Sequence, residues 1–194
     1  TSSSTEWALS ELLRSPETLN KAKAKLAQVV GPKGMVEESD IANLPYLQAV
    51  IKETLRLHPP VPLLLPRSAI EDTKFRGYHI PKDTQLLVNA WAIGRDPDVW
   101  NDPLPFKPER FLDSTVDYKG QHHESIPFGA GRRMCVGLPL GHRILHLTLG
   151  SLLNEFDWEL CGNVSKESIN MNDRLGVTIR KVEPLFALPK RLLE

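Results

Sequence analysis

Ten of the sixteen prolines fall between Pro59 and Pro127, and that clustering divides the chain. A proline inside a helix removes a hydrogen bond and drives its ring into the preceding turn, so no long helix fits the middle. Helical patterns lie on either side. Ser15-Pro16 reads as an N-cap and a first-position proline, opening a helix to about Val30 before Gly31-Pro32 stops it. Glu37-Glu38-Ser39-Asp40 precedes a short helical turn, and residues 45–58 carry a further helix. In the middle, residues 75–80 and 84–88 are strand-like runs flanking a Pro81-Lys82-Asp83 turn, which predicts a small sheet. Residues 89–94 suit a short helix, and residues 100–127 read as irregular loop. The pattern predicts a mainly α fold with a small β-sheet.

From Cys135 onward, Val136, Leu138, Leu140, Ile144, Leu145, Leu147, Leu149, Leu152 and Leu153 predict a helix apolar around much of its circumference, hence buried. His142 and His146 stand four apart on it, a spacing that can bind a metal. No Glu follows His142 in the zinc-protease arrangement and no third ligand stands out, so the pair reads as a polar stripe on a packed helix. His122-His123 lies in a polar stretch and is expected to face water.

The 194 residues are 41% hydrophobic, enough to bury a core, and 24 basic side chains balance 24 acidic ones. That balance gives no bias toward nucleic acid. No stretch approaches the roughly 18 consecutive apolar residues of a membrane span. Cys135 and Cys161 could in principle form a disulfide; Cys161, in Phe156-Asp157-Trp158-Glu159-Leu160-Cys161-Gly162, reads instead as a partly buried strand-end thiol.

Cys135 is set differently. It lies in Phe128-Gly129-Ala130-Gly131-Arg132-Arg133-Met134-Cys135-Val136-Gly137, directly before the apolar helix. A helix N-terminus and nearby arginines favour the thiolate, the form that ligates metals. Gly131 can take a left-handed turn, and Gly137 can let the helix approach a flat cofactor with no side chain between. Phe128 would supply an aromatic wall and Arg133 a partner for a cofactor carboxylate. The competing reading is a small buried hydrophobe, the common state of a lone cysteine. Two further motifs precede it: Lys52-Glu53-Thr54-Leu55-Arg56-Leu57-His58-Pro59, with Glu53 and Arg56 three apart on one helix face, and Phe106-Lys107-Pro108-Glu109-Arg110-Phe111.

In this order the motifs resemble the cytochrome P450 family of haem-thiolate monooxygenases, whose haem loop reads Phe-x-x-Gly-x-Arg-x-Cys-x-Gly. Phe128, Gly131, Arg133, Cys135 and Gly137 fill its fixed positions. The resemblance implies haem b with Cys135 as axial iron ligand, its sulfur tuned by backbone N–H groups that follow it. It implies a buried charged triad of Glu53, Arg56 and Arg110, structural rather than catalytic, and Arg67 paired with a haem propionate. It places Val61, Leu63, Leu64 and Leu65, with Leu175 and Val177, in the substrate pocket.

By the same resemblance, residues 1–194 form the C-terminal fragment of a single cytochrome P450 domain of plant microsomal type. The opening residues look like the second half of the distal helix; the distal acid is absent, and Thr1 is given no catalytic role. The implied reaction uses O₂, a small apolar substrate of terpenoid or phenolic class, and electrons from NADPH through NADPH-cytochrome P450 reductase. Arg132, Arg133 and Lys107 would help form a basic patch for that partner. The implied location is the cytosolic face of the endoplasmic reticulum membrane, through an N-terminal anchor outside this chain. Two alternatives stay open: a truncated, non-catalytic haem-binding fragment, and a haem-thiolate rearranging enzyme that needs no reductase.

Overall fold

Helix α1 (Ser2–Arg14) starts where the Thr1 carbonyl accepts the Thr5 N–H at 2.9 Å. The computed structural model describes residues 1–31, 34–162 and 164–192. Helix α2 (Pro16–Val30) begins on its proline and ends at Gly31, whose φ of 73° breaks the repeat; Pro32, expected as part of that stop, lies outside the described residues. A 3₁₀ turn at Glu38–Asn43, closed by a reciprocal Glu37–Asp40 capping box, leads into α3 (Pro45–Leu57). The His58 N–H closes α3 on the Thr54 carbonyl at 2.7 Å, and Pro59-Pro60 prevents its continuation.

The core forms where α1, α2, α3 and α5 (Leu138–Glu155) pack on one another. Leu12, Val50 and Leu153 are fully buried there, with Leu26, Leu55 and Leu149 nearly so. Helix α5 begins at Leu138, three residues after Cys135. Its expected burial all round does not hold: Leu138, Leu145, Leu149 and Leu153 are buried, but Val136 is 98% exposed, and Leu140 and Ile144 are exposed. The helical period separates Leu140 and Ile144, four apart on a side turned from the core, while Val136 lies in the turn before the helix. His146 is likewise no polar stripe but wholly buried. Among the described residues no helix is long and apolar enough to cross a membrane.

The middle is short and irregular, but the sheet differs from expectation. Strands β2 (Thr73–Phe75) and β3 (Tyr78–Ile80) pair around Arg76-Gly77, so the run 75–80 is split by a turn. Both turn residues have positive φ, 49° and 87°, the mirror-image geometry that matches the twist of a hairpin. Residues 81–83 instead connect β3 to β4 (Gln85–Leu86), which pairs with β1 (Arg67–Ser68). Further on, β5 (Phe156–Leu160) pairs with β8 (Ala187–Arg191), and β6 (Asp173–Arg174) with β7 (Arg180–Lys181). All the described pairings are antiparallel and two-stranded, so there are separate ladders rather than one sheet.

The short helix α4 (Ala90–Ile93) is capped by the Asn89 side chain, which accepts the Ala92 N–H at 2.9 Å. It ends at buried Gly94, which rests on α3: a Cβ built there would stand 2.4 Å from the Arg56 carbonyl oxygen. Backbone cannot yield as a flexible side chain can. Gly94→Ala is therefore expected to cost about 1–3 kcal/mol, seen as a lower urea midpoint at unchanged slope. A midpoint equal to the parent's would contradict this packing.

Candidate functional site

The loop carrying Cys135 is folded on itself by backbone. Gly129 and Gly131 hold φ of 74° and 67°, a 3₁₀ turn spans Gly131–Arg133, and the Cys135 N–H returns to the Phe128 carbonyl at 3.0 Å. The Leu138 N–H then donates to the Cys135 carbonyl at 3.2 Å, leading into α5. Both glycines hold conformations that a Cβ disfavours. Gly131 was singled out from sequence; Gly129 was not. Gly137 has an ordinary φ of −80°, and a Cβ there would lie 3.7 Å from the Cys135 sulfur.

The result is an exposed, free thiol. Cys161 is also free and half-buried just after β5, its N–H donating to the Phe186 carbonyl at 3.1 Å. The Phe128 ring lies 5.5 Å from that of Tyr118, and a Cβ on Gly141 would meet it at 3.7 Å. Among the described residues no backbone N–H donates to the Cys135 sulfur, and of those that follow the cysteine the Leu138 N–H is taken by the Cys135 carbonyl. Arg132, Arg133 and Arg67 are exposed, and the Lys107 ammonium pairs with Asp102.

The donor set decides which group fits. Among the described residues no three His, Cys, Asp or Glu side chains gather as a metal site, so the protein offers one soft thiolate rather than a cage. That suits a cofactor bringing its own equatorial ligands and needing one axial sulfur, as haem does. Open space at Gly131, where a Cβ would touch nothing within 4 Å, and exposed Val136 beside the thiol leave room for an apolar macrocycle.

The segment after α3 meets this loop. Leu64 sits at φ 51°, and its Cδ1 lies 3.8 Å from where a Cβ of Gly129 would be. Val61, Leu63 and Leu64 are half-buried and Leu65 is exposed. The Ile179 N–H donates to the Pro60 carbonyl at 2.9 Å and the Ser3 hydroxyl to the Ile179 carbonyl at 2.8 Å. These bonds tie the turn carrying exposed Leu175 and Val177 to the start of the same segment and to α1.

On α3, Glu53 and Arg56 are fully buried and paired through two bonds, Nε to Oε2 at 2.7 Å and Nη2 to Oε1 at 2.8 Å. Glu53 Oε1 also accepts from Arg110 Nε at 3.0 Å and the Lys107 N–H at 2.8 Å. Arg56 Nη1 donates to the carbonyls of Gly94 and Pro103. Arg110 reaches the Asn101 carbonyl at 2.9 Å and that of Asp102 at 3.0 Å. The Arg56 and Arg110 guanidiniums lie 5.1 and 6.0 Å from the Trp100 ring. The triad thus fastens α3 to residues 94–110.

Two buried polar clusters escaped the sequence reading. In one, Trp7 stacks on His58 with ring centres 4.0 Å apart, His58 Nε2 meets Glu11 Oε1 at 2.8 Å, and the Lys181 ammonium lies 4.8 Å from the Trp7 ring centre. Trp7 and Glu11, four apart within an apolar run, gave a faint signal; Lys181 gave none. In the other, the Tyr118 hydroxyl meets His142 Nδ1, and His146 Nδ1 donates to the His142 carbonyl at 2.7 Å. His146 Nε2 has no partner among the described residues.

Burial pushes the His146 pKa down from 6.5 to about 4, so folding disfavours its proton. Between those values the unfolded chain binds more protons than the folded one, and stability rises with pH. This contribution is complete above pH 6.5 and is lost as pH falls toward 4, with a slope of at most about 1.4 kcal/mol per pH unit. His58 and His142 shift the same way, chiefly through burial. His146→Leu should flatten the urea-measured stability profile across this window; an unchanged slope would show that His146 does not carry it.

The cytochrome P450 family model matches residues 1–186. Cytochrome P450 76A1 of Solanum melongena is 66% identical over 98% of this chain and 41% of its own length. An iridoid oxidase of Catharanthus roseus is 59% identical over 98% of the chain and 37% of its own length. A geraniol 8-hydroxylase of Swertia mussotii is 54% identical over 97% of the chain and 38% of its own length. A zebrafish cytochrome P450 structure with abiraterone superposes with a TM-score of 0.85 at 35% identity, covering 98% of this chain and 44% of that one. The chain thus spans about two fifths of the length of these relatives. With matching family pattern, fold and thiol loop, the chain belongs to the cytochrome P450 family.

Proposed function

We propose that this chain carries the haem-thiolate site of a monooxygenase that inserts one oxygen atom of O₂ into a small apolar terpenoid. The second oxygen atom leaves as water, using two electrons from NADPH delivered by a cytochrome P450 reductase at the cytosolic face of the endoplasmic reticulum. The observation that carries this reading is the exposed Cys135 thiol on a left-handed glycine turn, against which the aliphatic segment at Leu64 packs. The names of two relatives, iridoid oxidase and geraniol 8-hydroxylase, support the terpenoid class.

Haem bound here supplies the dioxygen chemistry. Cys135 holds it through the thiolate, and Arg67 and Arg133, both exposed, are the cations offered to its propionates. Val61, Leu63, Leu64 and Leu65 exclude water and orient an apolar skeleton by shape, while Glu53, Arg56 and Arg110 fasten α3 to residues 94–110.

The test is turnover of geraniol by the haem-loaded protein with NADPH and reductase under ¹⁸O₂. One ¹⁸O atom per product molecule, dependent on NADPH, is expected; product that gains no ¹⁸O would overturn the reading in favour of rearrangement.

A further inference from the structure

The β6/β7 ladder contains a pairing that folding alone does not favour. Asp173 is the register partner of Lys181, an opposite-charge pair, but on the next rung Arg174 stands directly across from Arg180. Like charges facing each other across an antiparallel pair are destabilising. Neither guanidinium has an acidic or hydrogen-bonding partner among the described residues, and both are exposed. The two arginines flank an open recess of about 270 Å³ completed by Leu175, Gly176, Val177 and Thr178. A Cβ on Gly176 would stand 3.4 Å from the Thr178 carbonyl, so the tip folds closely on itself. The recess therefore joins two unneutralised cations and a hydroxyl to two exposed aliphatic side chains, Leu175 and Val177.

We propose that this turn binds the carboxylate of an amphipathic terpenoid acid, with Arg174 and Arg180 as a paired guanidinium clamp and Leu175 and Val177 against the first carbons of its apolar tail. Two guanidiniums held across a ladder suit a carboxylate, which accepts parallel hydrogen bonds. A neutral alcohol of the same skeleton offers no charge to offset their repulsion. The proposal rests on the reading that the 175–177 turn faces the substrate pocket, a placement tied to the Val61–Leu65 segment through the Ile179 to Pro60 bond. It deepens the substrate class from apolar terpenoid to one bearing a carboxylate, brought in as substrate or held as product.

The test compares geranate with geraniol, which share a skeleton and differ in the head group, by calorimetric titration of the haem-loaded protein at low ionic strength. Geranate is expected to bind at least tenfold tighter, with that preference falling as salt rises. Arg180→Gln and the double variant Arg174→Gln/Arg180→Gln should remove the preference, and Arg180→Lys should retain part of it. The ligand-free glutamine variants should melt no lower than the parent, because they relieve a like-charge pair; a purely structural role for the arginines would lower their melting temperature. Equal binding of the two compounds, binding of neither, or a preference that survives in the double variant would each overturn the proposal. Substrate and product roles separate on turnover: geranate that gains oxygen is a substrate, and geranate that only competes with geraniol is a product mimic. Titration reads binding and ¹⁸O₂ reads oxygen insertion, so either proposal can fail while the other stands.

Discussion

Glu53→Ala is expected to cost about 3–5 kcal/mol of folding stability, because it leaves buried cations without their counter-charge. Arg56 has a wholly buried side chain and Arg110 one only 12% exposed, and both donate to the Glu53 carboxylate. Removing it also strands the Lys107 N–H. The carbonyls of Gly94 and Pro103 and the face of Trp100 would remain to Arg56, but none carries the charge that offsets its desolvation. Glu53→Gln keeps the shape and one acceptor oxygen, so it should fall between alanine and the parent. An internal control is Glu109, whose Oε1 accepts from Lys21 at 2.7 Å and Tyr46 at 2.8 Å, with the Lys21 and Glu109 side chains nearly half exposed. Glu109→Ala should lose about 1 kcal/mol or less, the range of exposed pairs. Equilibrium urea unfolding measures both, and a Glu53→Ala loss no larger than that of Glu109→Ala would contradict the buried triad.

The helices were legible because their signals are local. Pro16 and Pro45 at first-turn positions, the Gly31 stop and the Pro59-Pro60 break are each readable within a few residues. The hairpin was misplaced for an equally local reason. Residues 75–80 read as one strand-like run, and Arg76, with no intrinsic claim to positive φ, hid a turn that Gly77 makes possible. The exposure of Leu140 and Ile144 could not be read from hydrophobicity, which marks what can be buried and not which side of α5 meets the core.

The site divides in the same way. Cys135, Gly131 and the Glu53–Arg56 pair lie within short motifs that match the family's pattern, although an acid and a base three apart are by themselves common on solvated helices. Gly94 against Arg56, Tyr118 against His142 and Leu64 against Gly129 bring together residues 24 to 65 apart in the chain, and periodicity carries no such information. Lys181 over Trp7 is the extreme case: a lysine near the C-terminus reads as solvent-facing until the fold brings it onto an indole of α1.

Cys135→Ala is expected to abolish thiolate ligation of haem while leaving the fold intact. The side chain is exposed, and the turn that presents it is held by backbone bonds from Cys135 to Phe128 and from Leu138 to Cys135, which alanine can make equally. Little packing is lost, so the unfolding midpoint should stay close to the parent's. The electronic effect is instead complete: a thiolate pushes electron density onto iron in a way no neighbouring group can replace. Cys161, half-buried beside β5 and bonded through its backbone to Phe186, lies on another element and cannot take over. Loss of stability in parallel with loss of ligation would show that Cys135 is a packing residue instead.

The most direct measurement is the difference spectrum of the reduced, carbon-monoxide-treated protein with haem, recorded for the parent, Cys135→Ala and Cys161→Ala. A strongly red-shifted Soret band present in the parent and in Cys161→Ala, and absent from Cys135→Ala, is the predicted result. A band that persists without Cys135, or disappears with Cys161, would contradict the assignment of the haem-thiolate site.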